Sequence, residues 1–226
     1  MKTSEREITD FITDRVDKLL AFYRELDNSL SVNGIKINLK REKIKRVSFD
    51  DDVEFYFGFF SAISEYREKL KQLFLSNNTT FLNSDESKKI IIESRIKNIN
   101  SIFSKIYQYI NKKKENGDVA INKCLNDLFG IRIVVPIDKF DKLYEIVIRL
   151  AENNNWNCKI YDSSKLEYKA VHMYICNGNY SLRWEVQFWL LKDDASNRNS
   201  HARYKQAYTN WESVYRTKDL FRKCKP

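Results

Sequence analysis

Histidine, cysteine and glycine are scarce in this chain, and their scarcity argues against several kinds of site. The 226 residues include 2 histidines, 4 cysteines and 5 glycines. The cysteines stand far apart, without the paired spacing of zinc ligands, so a zinc site is not indicated. Dispersed thiols suit a reducing compartment. No glycine-rich P-loop occurs, which argues against a Walker-type nucleotide hydrolase.

Long apolar runs are also missing. The first twenty residues are charged throughout and lack the apolar stretch of a secretion signal. A membrane-spanning helix would need about 18 or more consecutive apolar residues, and no such run occurs. These features predict a cytoplasmic protein with no membrane partner.

Positive charge is in excess. Lys and Arg number 40 against 31 for Asp and Glu, which gives a net charge of +9. The excess favours a polyanionic partner such as nucleotide phosphates or nucleic acid, although a solubility role would explain it equally well. Six of the basic residues lie in segment 36–46. That segment is either a nucleic-acid contact or a solvated linker or edge strand.

Apolar periodicity divides the chain into two parts. Helical spacing predicts an N-terminal helical region with the basic segment over residues 1–87, and β-branched runs alternate with helical patterns over 88–226. The second part is predicted to be an α/β or α+β core that ends in a C-terminal helix. The predicted helices are 5–30, 51–75, 98–112, 138–152 and 193–214. The predicted strands are 90–93, 130–135, 156–161, 171–177 and 182–190.

Two carboxylates fall in or beside predicted strands. In the stretch WEVQFW, alternation places Glu185, Gln187 and Trp189 on one face of a strand. An ionised carboxylate inside a sheet is costly unless a cation meets it. Asp127 precedes another strand, where it is either a turn residue paired with Arg132 or a second ligand of a shared cation. We predict a divalent metal held by Asp127 and Glu185.

Cations gather at a predicted strand-to-helix junction. Arg95 and Lys97 lie near the strand end, while Ser101 and Lys105 lie one helical turn apart. With the partial positive charge of a helix N-terminus, this arrangement suits a triphosphate. A solvated basic helix face is the competing interpretation.

Taken in order, these residues resemble the synthetase domain of the RelA/SpoT family, especially the small alarmone synthetases. The family pattern R-x-K-x-x-x-S-I-x-x-K spans residues 95–105, and D-x-x-G-x-R spans 127–132. The pattern G-Y-x-S-x-H is present in degraded form as EYKAVH at 167–172, and E-[IV]-Q appears at 185–187. His201 stands at the position of the histidine in the family's E-H helix, and the resemblance covers about residues 88–208.

The resemblance implies an α+β, nucleotidyltransferase-like mixed sheet flanked by helices. It implies transfer of the β,γ-pyrophosphate of ATP to a ribose 3′-hydroxyl with release of AMP, supported by Mg²⁺. Asp127 and Glu185 would be the catalytic and metal-binding residues, Asp127 holding Mg²⁺ while Glu185 shares the metal or takes the hydroxyl proton. ATP would be bound by Arg95, Lys97, Ser101, Lys105 and Arg132, the two arginines sandwiching adenine. The acceptor would be bound by Tyr168, which stacks on its base, together with His172 and Gln187.

Departures from the family pattern concentrate in the acceptor half. The glycine before the tyrosine is Glu167, the serine is Ala170 and an arginine after E-x-Q is Trp189. An asparagine that reads guanine in some relatives corresponds to Asp194. One branch of the family consists of toxins that modify the 3′-terminal adenosine of tRNA. We therefore favour a tRNA-modifying toxin with an antitoxin partner.

Two alternatives to the toxin stay open. A conventional (p)ppGpp synthetase acting on GDP or GTP would use the retained acceptor residues. A non-catalytic RNA-binding module would have inherited the fold without the reaction, but it gives no reason for keeping both carboxylates. With only two histidines, the chain does not supply the paired motif of a hydrolase.

Overall fold

The computed structural model describes residues 3–49, 51–76, 82–111, 114–200 and 202–203. Helix α1 (Glu5–Glu25) begins with a capping box, in which Ser4 and Glu7 bond each other's main-chain N–H groups. It ends before residue 30, where the sequence pattern predicted its end. The buried Asn28 amide donates to the carbonyls of Tyr23 at 2.7 Å and Leu26 at 3.0 Å, which turns the chain away from the helix axis.

A short hairpin follows α1 and was not predicted. Strands β1 (Ser31–Val32) and β2 (Ile35–Lys36) are joined by Asn33 and Gly34, which have φ angles of 51° and 78°. Positive φ at both central residues is the geometry that favours Asn-Gly in two-residue hairpins.

The basic segment 36–46 is fastened to the core by main-chain hydrogen bonds. The Ile44 N–H donates to the Val119 carbonyl at 2.8 Å, and the Lys45 N–H donates to the Gly117 carbonyl at 3.0 Å. The segment is therefore ordered against the stretch that leads into Asp127, and it does not behave as a free linker.

Four more helices and a five-stranded sheet complete the described part. The helices are α2 (Val53–Ser76), α3 (Ile99–Asn111), α4 (Ile121–Cys124) and α5 (Phe140–Asn153), and residues 194–200 are also helical. The strands are β3 (Ile91–Ile96), β4 (Phe129–Val135), β5 (Cys158–Asp162), β6 (Val171–Ile175) and β7 (Trp184–Leu190). The order is β3-β4-β7-β6-β5, with β4 and β7 parallel and the other pairs antiparallel. The predicted α+β class with a mixed sheet is confirmed.

Several predicted boundaries were wrong. Strand β3 continues to Ile96, past the predicted end at residue 93, so Arg95 lies near the end of the strand and Lys97 lies between β3 and α3, as predicted for the strand-to-helix junction. The short α4 was not predicted. The predicted closing helix is present at residues 194–200 and 202–203, and the remainder of 193–214, with His201, lies outside the described residues.

One hydrophobic core joins the N-terminal helices to the sheet. Ile12 of α1, Phe59 of α2 and Trp184 of β7 belong to a single buried cluster. Tyr23 meets Trp184 at 5.0 Å between ring centroids, and Phe74 stacks on Phe129 at 4.8 Å. Residues on both sides of the predicted boundary near residue 87 pack in this one cluster. The division into two domains stays a prediction. Within the described ranges, no helix is long and apolar enough to cross a membrane.

Candidate active site

The sheet has one apolar and one polar face, and the polar face collects most of the predicted site residues. Side chains two residues apart on a strand point to the same side. One row of cross-strand neighbours consists of Glu93, Arg132, Gln187 and His172. The adjacent row consists of Arg95, Gly130, Glu185 and Tyr174. The predicted alternation of β7 is confirmed, because Trp184, Val186 and Phe188 all join the hydrophobic core.

Asp127 lies just before β4 and is enclosed by two ammonium groups. Its carboxylate is 2.8 Å from the Lys105 Nζ and forms a second ion pair with Lys97. Burial alone would raise the pKa of Asp127, but the charges of Lys105 and Lys97 outweigh burial and hold that pKa well below its ordinary value. The three groups together carry a net positive charge, which suits them to receive phosphate.

The segment that leads from β3 into α3 is held by hydrogen bonds to β4 and α2. The Lys97 N–H donates to the Leu128 carbonyl at 2.8 Å, which extends the pairing of β3 with β4 past Ile96. The Lys97 carbonyl accepts a hydrogen bond of 2.9 Å from Arg67 of α2, a contact that sequence reasoning missed. Ser101 lies in the first turns of α3, near the positive end of the helix dipole. Arg95 is exposed on β3.

Glu185 meets protein groups on both of its oxygens. One oxygen lies 3.0 Å from the His172 Nδ1 and accepts from the Tyr174 hydroxyl at 2.9 Å. The other oxygen accepts from the Gln187 amide at 2.7 Å. Burial raises the pKa of Glu185, but the hydrogen bond and charge of His172 lower that pKa by more than burial raises it. The pKa of Glu185 therefore lies below its ordinary value. Glu185 is thus ionised at neutral pH.

Asp127 and Glu185 lie at the same end of the two parallel strands. Gly130 is the cross-strand neighbour of Glu185, and Asp127 precedes Gly130 by three residues. The charge of Asp127 acts on Glu185 and opposes the lowering of its pKa. The structure therefore brings the two predicted carboxylates to one region of the polar face.

Tyr168 is presented by a tight turn and fixed through its hydroxyl. The Tyr168 hydroxyl lies 2.9 Å from the His172 Nε2, and burial raises the pKa of Tyr168 to about 12. Main-chain hydrogen bonds between Lys165 and Tyr168, at 2.8 and 2.9 Å, close the turn. The hydroxyl end of Tyr168 is therefore fixed next to the row that carries His172.

Asn197 braces the same loop, and no sequence signal marked it. Its fully buried amide accepts from the Lys169 N–H at 2.9 Å and donates to the Lys169 carbonyl at 2.8 Å. This paired contact copies the hydrogen bonding of a neighbouring strand. The helical segment 194–200 thereby sets the position of the residue that follows Tyr168.

Replacing Asn197 with alanine should loosen the Tyr168 loop. With Tyr168 in the acceptor-binding role that the sequence resemblance implies, we expect the KM for the acceptor to rise by about fivefold or more and ATP binding to change less than about twofold, because the loop's two hydrogen bonds are lost. Steady-state kinetics with each substrate varied would measure the split. Asn199→Ala, at an exposed position two residues away, is the matched control. An equal loss of ATP and acceptor binding would contradict the assignment.

A sequence profile described as "Region found in RelA / SpoT proteins" matches residues 94–209, more than half of the chain. The chain belongs to the RelA/SpoT family. Its activity class is accordingly that of a RelA/SpoT-type pyrophosphokinase. The matched residues include both carboxylates, the lysines around Asp127 and the Tyr168 loop.

Solved structures similar to this RelA/SpoT chain come from Bacillus subtilis. Small alarmone synthetase 1 is 17% identical, with 68% of this chain and 80% of that chain covered and a TM-score of 0.38. Small alarmone synthetase 2 is 15% identical, with 68% and 82% covered and a TM-score of 0.38. Small alarmone synthetase 1 bound to pppGpp is 15% identical, with 74% and 94% covered and a TM-score of 0.35. No curated protein matches the chain in sequence.

Both predicted metal ligands of this RelA/SpoT chain already have protein partners, so a magnesium site at Asp127 and Glu185 stays a prediction. Mg²⁺ commonly takes one or two protein carboxylates and completes its shell with water and phosphate oxygens. Across the described ranges, no group of three or more His, Cys, Asp or Glu could hold a metal alone. A Mg²⁺ bound by both carboxylates would replace the lysine contacts of Asp127 and at least one of the protein contacts of Glu185.

Proposed function

We propose that this RelA/SpoT protein transfers the β,γ-pyrophosphate of ATP to the 3′-hydroxyl of the terminal adenosine of tRNA. Modification at that hydroxyl blocks aminoacylation, so the protein would act as a translation-inhibiting toxin controlled by an antitoxin. The family supplies the reaction class, and the acceptor is the proposed part. What supports the choice of acceptor is the way in which the polar groups of the acceptor pocket are already paired.

The polar side chains of the acceptor pocket that could recognise the edge of a base already form hydrogen bonds with one another. The Gln187 amide donates to Glu185 at 2.7 Å, and both His172 nitrogens face side chains of the pocket, the Tyr168 hydroxyl at 2.9 Å and Glu185 at 3.0 Å. Asp194, at the position where some relatives read guanine, pairs with Arg198 at 2.9 Å. A pocket arranged in this way favours recognition by stacking on Tyr168 over recognition of a guanine edge.

The reaction needs positioning and charge neutralisation more than covalent chemistry. Arg95 and Arg132 would hold adenine, while Lys97, Ser101 and Lys105 would hold the phosphates. Mg²⁺, held by Asp127 when bound, would neutralise phosphate charge.

Glu185 would take the proton of the attacking hydroxyl. The hydroxyl oxygen then bonds to the β-phosphorus as the bond from that phosphorus to the oxygen of AMP breaks. His172 and Tyr174 orient the carboxylate for this task, since both contact its first oxygen.

Positive charge supports a large polyanionic acceptor, and part of the charge of the basic segment is paired within the protein. The chain carries +9, and Lys40, Arg41, Lys45 and Arg46 are exposed on a segment fixed to the core. Ion pairs with acidic neighbours already occupy part of this charge: Lys43 and Lys45 with Asp118, and Arg46 with Glu42 and Asp52. A role for 36–46 in RNA binding stays a prediction.

Incubation with ATP labelled in its β,γ-phosphates, bulk tRNA, GDP and GTP tests the proposal. We expect the label on tRNA and a matching release of AMP, with no label on tRNA whose 3′-terminal ribose has been oxidised. Label on GDP or GTP alone would contradict the tRNA acceptor and establish the (p)ppGpp synthetase, for which the retained Tyr168, His172 and Gln187 are the supporting observation. RNA binding without AMP release would indicate the non-catalytic module.

A further inference from the structure

The indole of Trp189 lies between side chains assigned to two different bases. Trp189 is fully buried on the polar face of β7. The Arg132 guanidinium lies over its ring, with 3.5 Å between the guanidinium carbon and the ring centroid. The Tyr168 ring meets the same indole edge-on, with centroids 5.7 Å apart and an interplanar angle of 87°. One side chain therefore contacts both the expected donor-base residue and the expected acceptor-base residue.

Arg132 is held in a defined plane by three groups. The indole covers one face of the guanidinium, and the Glu93 carboxylate accepts a hydrogen bond from the Arg132 Nη1 at 3.0 Å. The side-chain amide oxygen of Gln187 lies 3.5 Å from the Arg132 Nη2. The Arg132 side chain keeps 15% of its surface exposed. Because a guanidinium has two faces, the face turned away from Trp189 is the one on which a planar ligand can stack.

The Tyr168 ring also packs against the Trp189 indole. Its hydroxyl is fixed by His172, but a hydroxyl contact leaves the ring free to tilt about that point. The edge of the indole removes this freedom, because edge-to-face packing between aromatic rings is directional. The stacking surface offered to the acceptor base is thus set by Trp189 as well as by His172.

We propose that Trp189 is a positioning residue shared by the donor and acceptor pockets. It backs Arg132 for the base of ATP and Tyr168 for the base of the acceptor, and it contacts neither the phosphates nor the reacting hydroxyl. The identity of the two bases rests on the proposed function, whereas the shared ring is a feature of the geometry.

The test compares Trp189→Leu with Trp189→Phe in the full chain. We expect Trp189→Leu to raise the KM for ATP and the KM for the acceptor by about fivefold or more each, with kcat changed less than about threefold. Trp189→Phe keeps an aromatic ring and should restore most of both affinities. Trp156→Leu, at a buried tryptophan bonded to Asp17 on α1, should lower stability without moving either KM.

A second variant and a binding measurement apply if Trp189→Leu does not fold or if tRNA is not the acceptor. If Trp189→Leu does not fold, Trp189→Met fills most of the volume without a ring, and the same KM changes are expected. An unchanged KM for either substrate in a folded variant would overturn the shared role. Calorimetric binding of the ATP analogue AMPCPP tests the donor half without any acceptor. If the wild-type enzyme labels GDP or GTP and not tRNA, the tRNA proposal fails while the Trp189 test proceeds with that nucleotide.

Discussion

Glu185→Gln should reduce pyrophosphate transfer by about 10²- to 10⁴-fold while the protein stays folded. The carboxylate is buried, ionised and oriented by His172 and Tyr174, so its loss would remove the proposed proton acceptor. Glutamine has nearly the same shape and keeps one oxygen that can accept from Tyr174. Initial rates with labelled ATP and a thermal melt of the same preparation would measure both effects.

Glu167→Gln is the matched control, because Glu167 lies in the acceptor loop with 70% of its side chain exposed. Its transfer rate and melting temperature should both stay near those of the wild type. A collapse of the melting temperature in Glu185→Gln would show that the carboxylate is structural. A rate within about tenfold of the wild type would remove Glu185 from the role of base.

Asp127→Asn should lower the free energy of unfolding by about 3 kcal/mol, besides ending transfer. The substitution leaves the ammonium groups of Lys97 and Lys105 buried near each other without the carboxylate that neutralises both. Urea unfolding at neutral pH would measure the loss.

The control for Asp127 is Asp118→Asn, because Asp118 also lies between two lysines. It is 3.6 Å from the Lys43 Nζ and 3.7 Å from the Lys45 Nζ, but 61% of its side chain is exposed. Exposed pairs of this kind contribute about 0–1 kcal/mol, so a small change is expected. Equal losses in the two variants would contradict the importance of burial at Asp127.

The same ion pairs predict how stability depends on pH. The pKa of Asp127 in the folded chain lies below the ordinary value of 3.8. Its stabilisation is therefore fully present above that ordinary value and is lost as the pH falls toward the folded pKa. Wild-type unfolding free energy should fall more steeply than that of Asp127→Asn between about pH 4 and pH 2. Parallel curves would contradict the depressed pKa.

Local pattern was sufficient for β7 and insufficient for its surroundings. The alternation in WEVQFW places Glu185 and Gln187 on one face, and the structure confirms it because a strand's two-residue period leaves no other choice. Two of the three partners of Glu185, His172 and Tyr174, come from β6, whose register against β7 is set by packing across the sheet. The sequence therefore did not reveal that Tyr174 donates a hydrogen bond to Glu185. It predicted a metal ion at this carboxylate and not a protein side chain.

Contacts made by single residues far apart in the sequence were beyond local pattern. Asn197 bonds the main chain of Lys169, Arg67 bonds the Lys97 carbonyl, and Glu93 binds both Arg132 and Arg198. None of these belongs to a repeating pattern. Each arises only when two elements are docked.

The sequence by itself determined the order of the longer helices and of the five sheet strands, the alternation of β7 and the family, because apolar periodicity and motif spacing are local properties. The tertiary structure alone decided which groups face one another. Strand register placed Tyr174 opposite Glu185 and brought His172 within reach of it from the adjacent row, and the docking of segment 194–200 fixed the Tyr168 loop. These contacts join residues that are remote along the chain, and their geometry depends on how the sheet and helices pack around one common core.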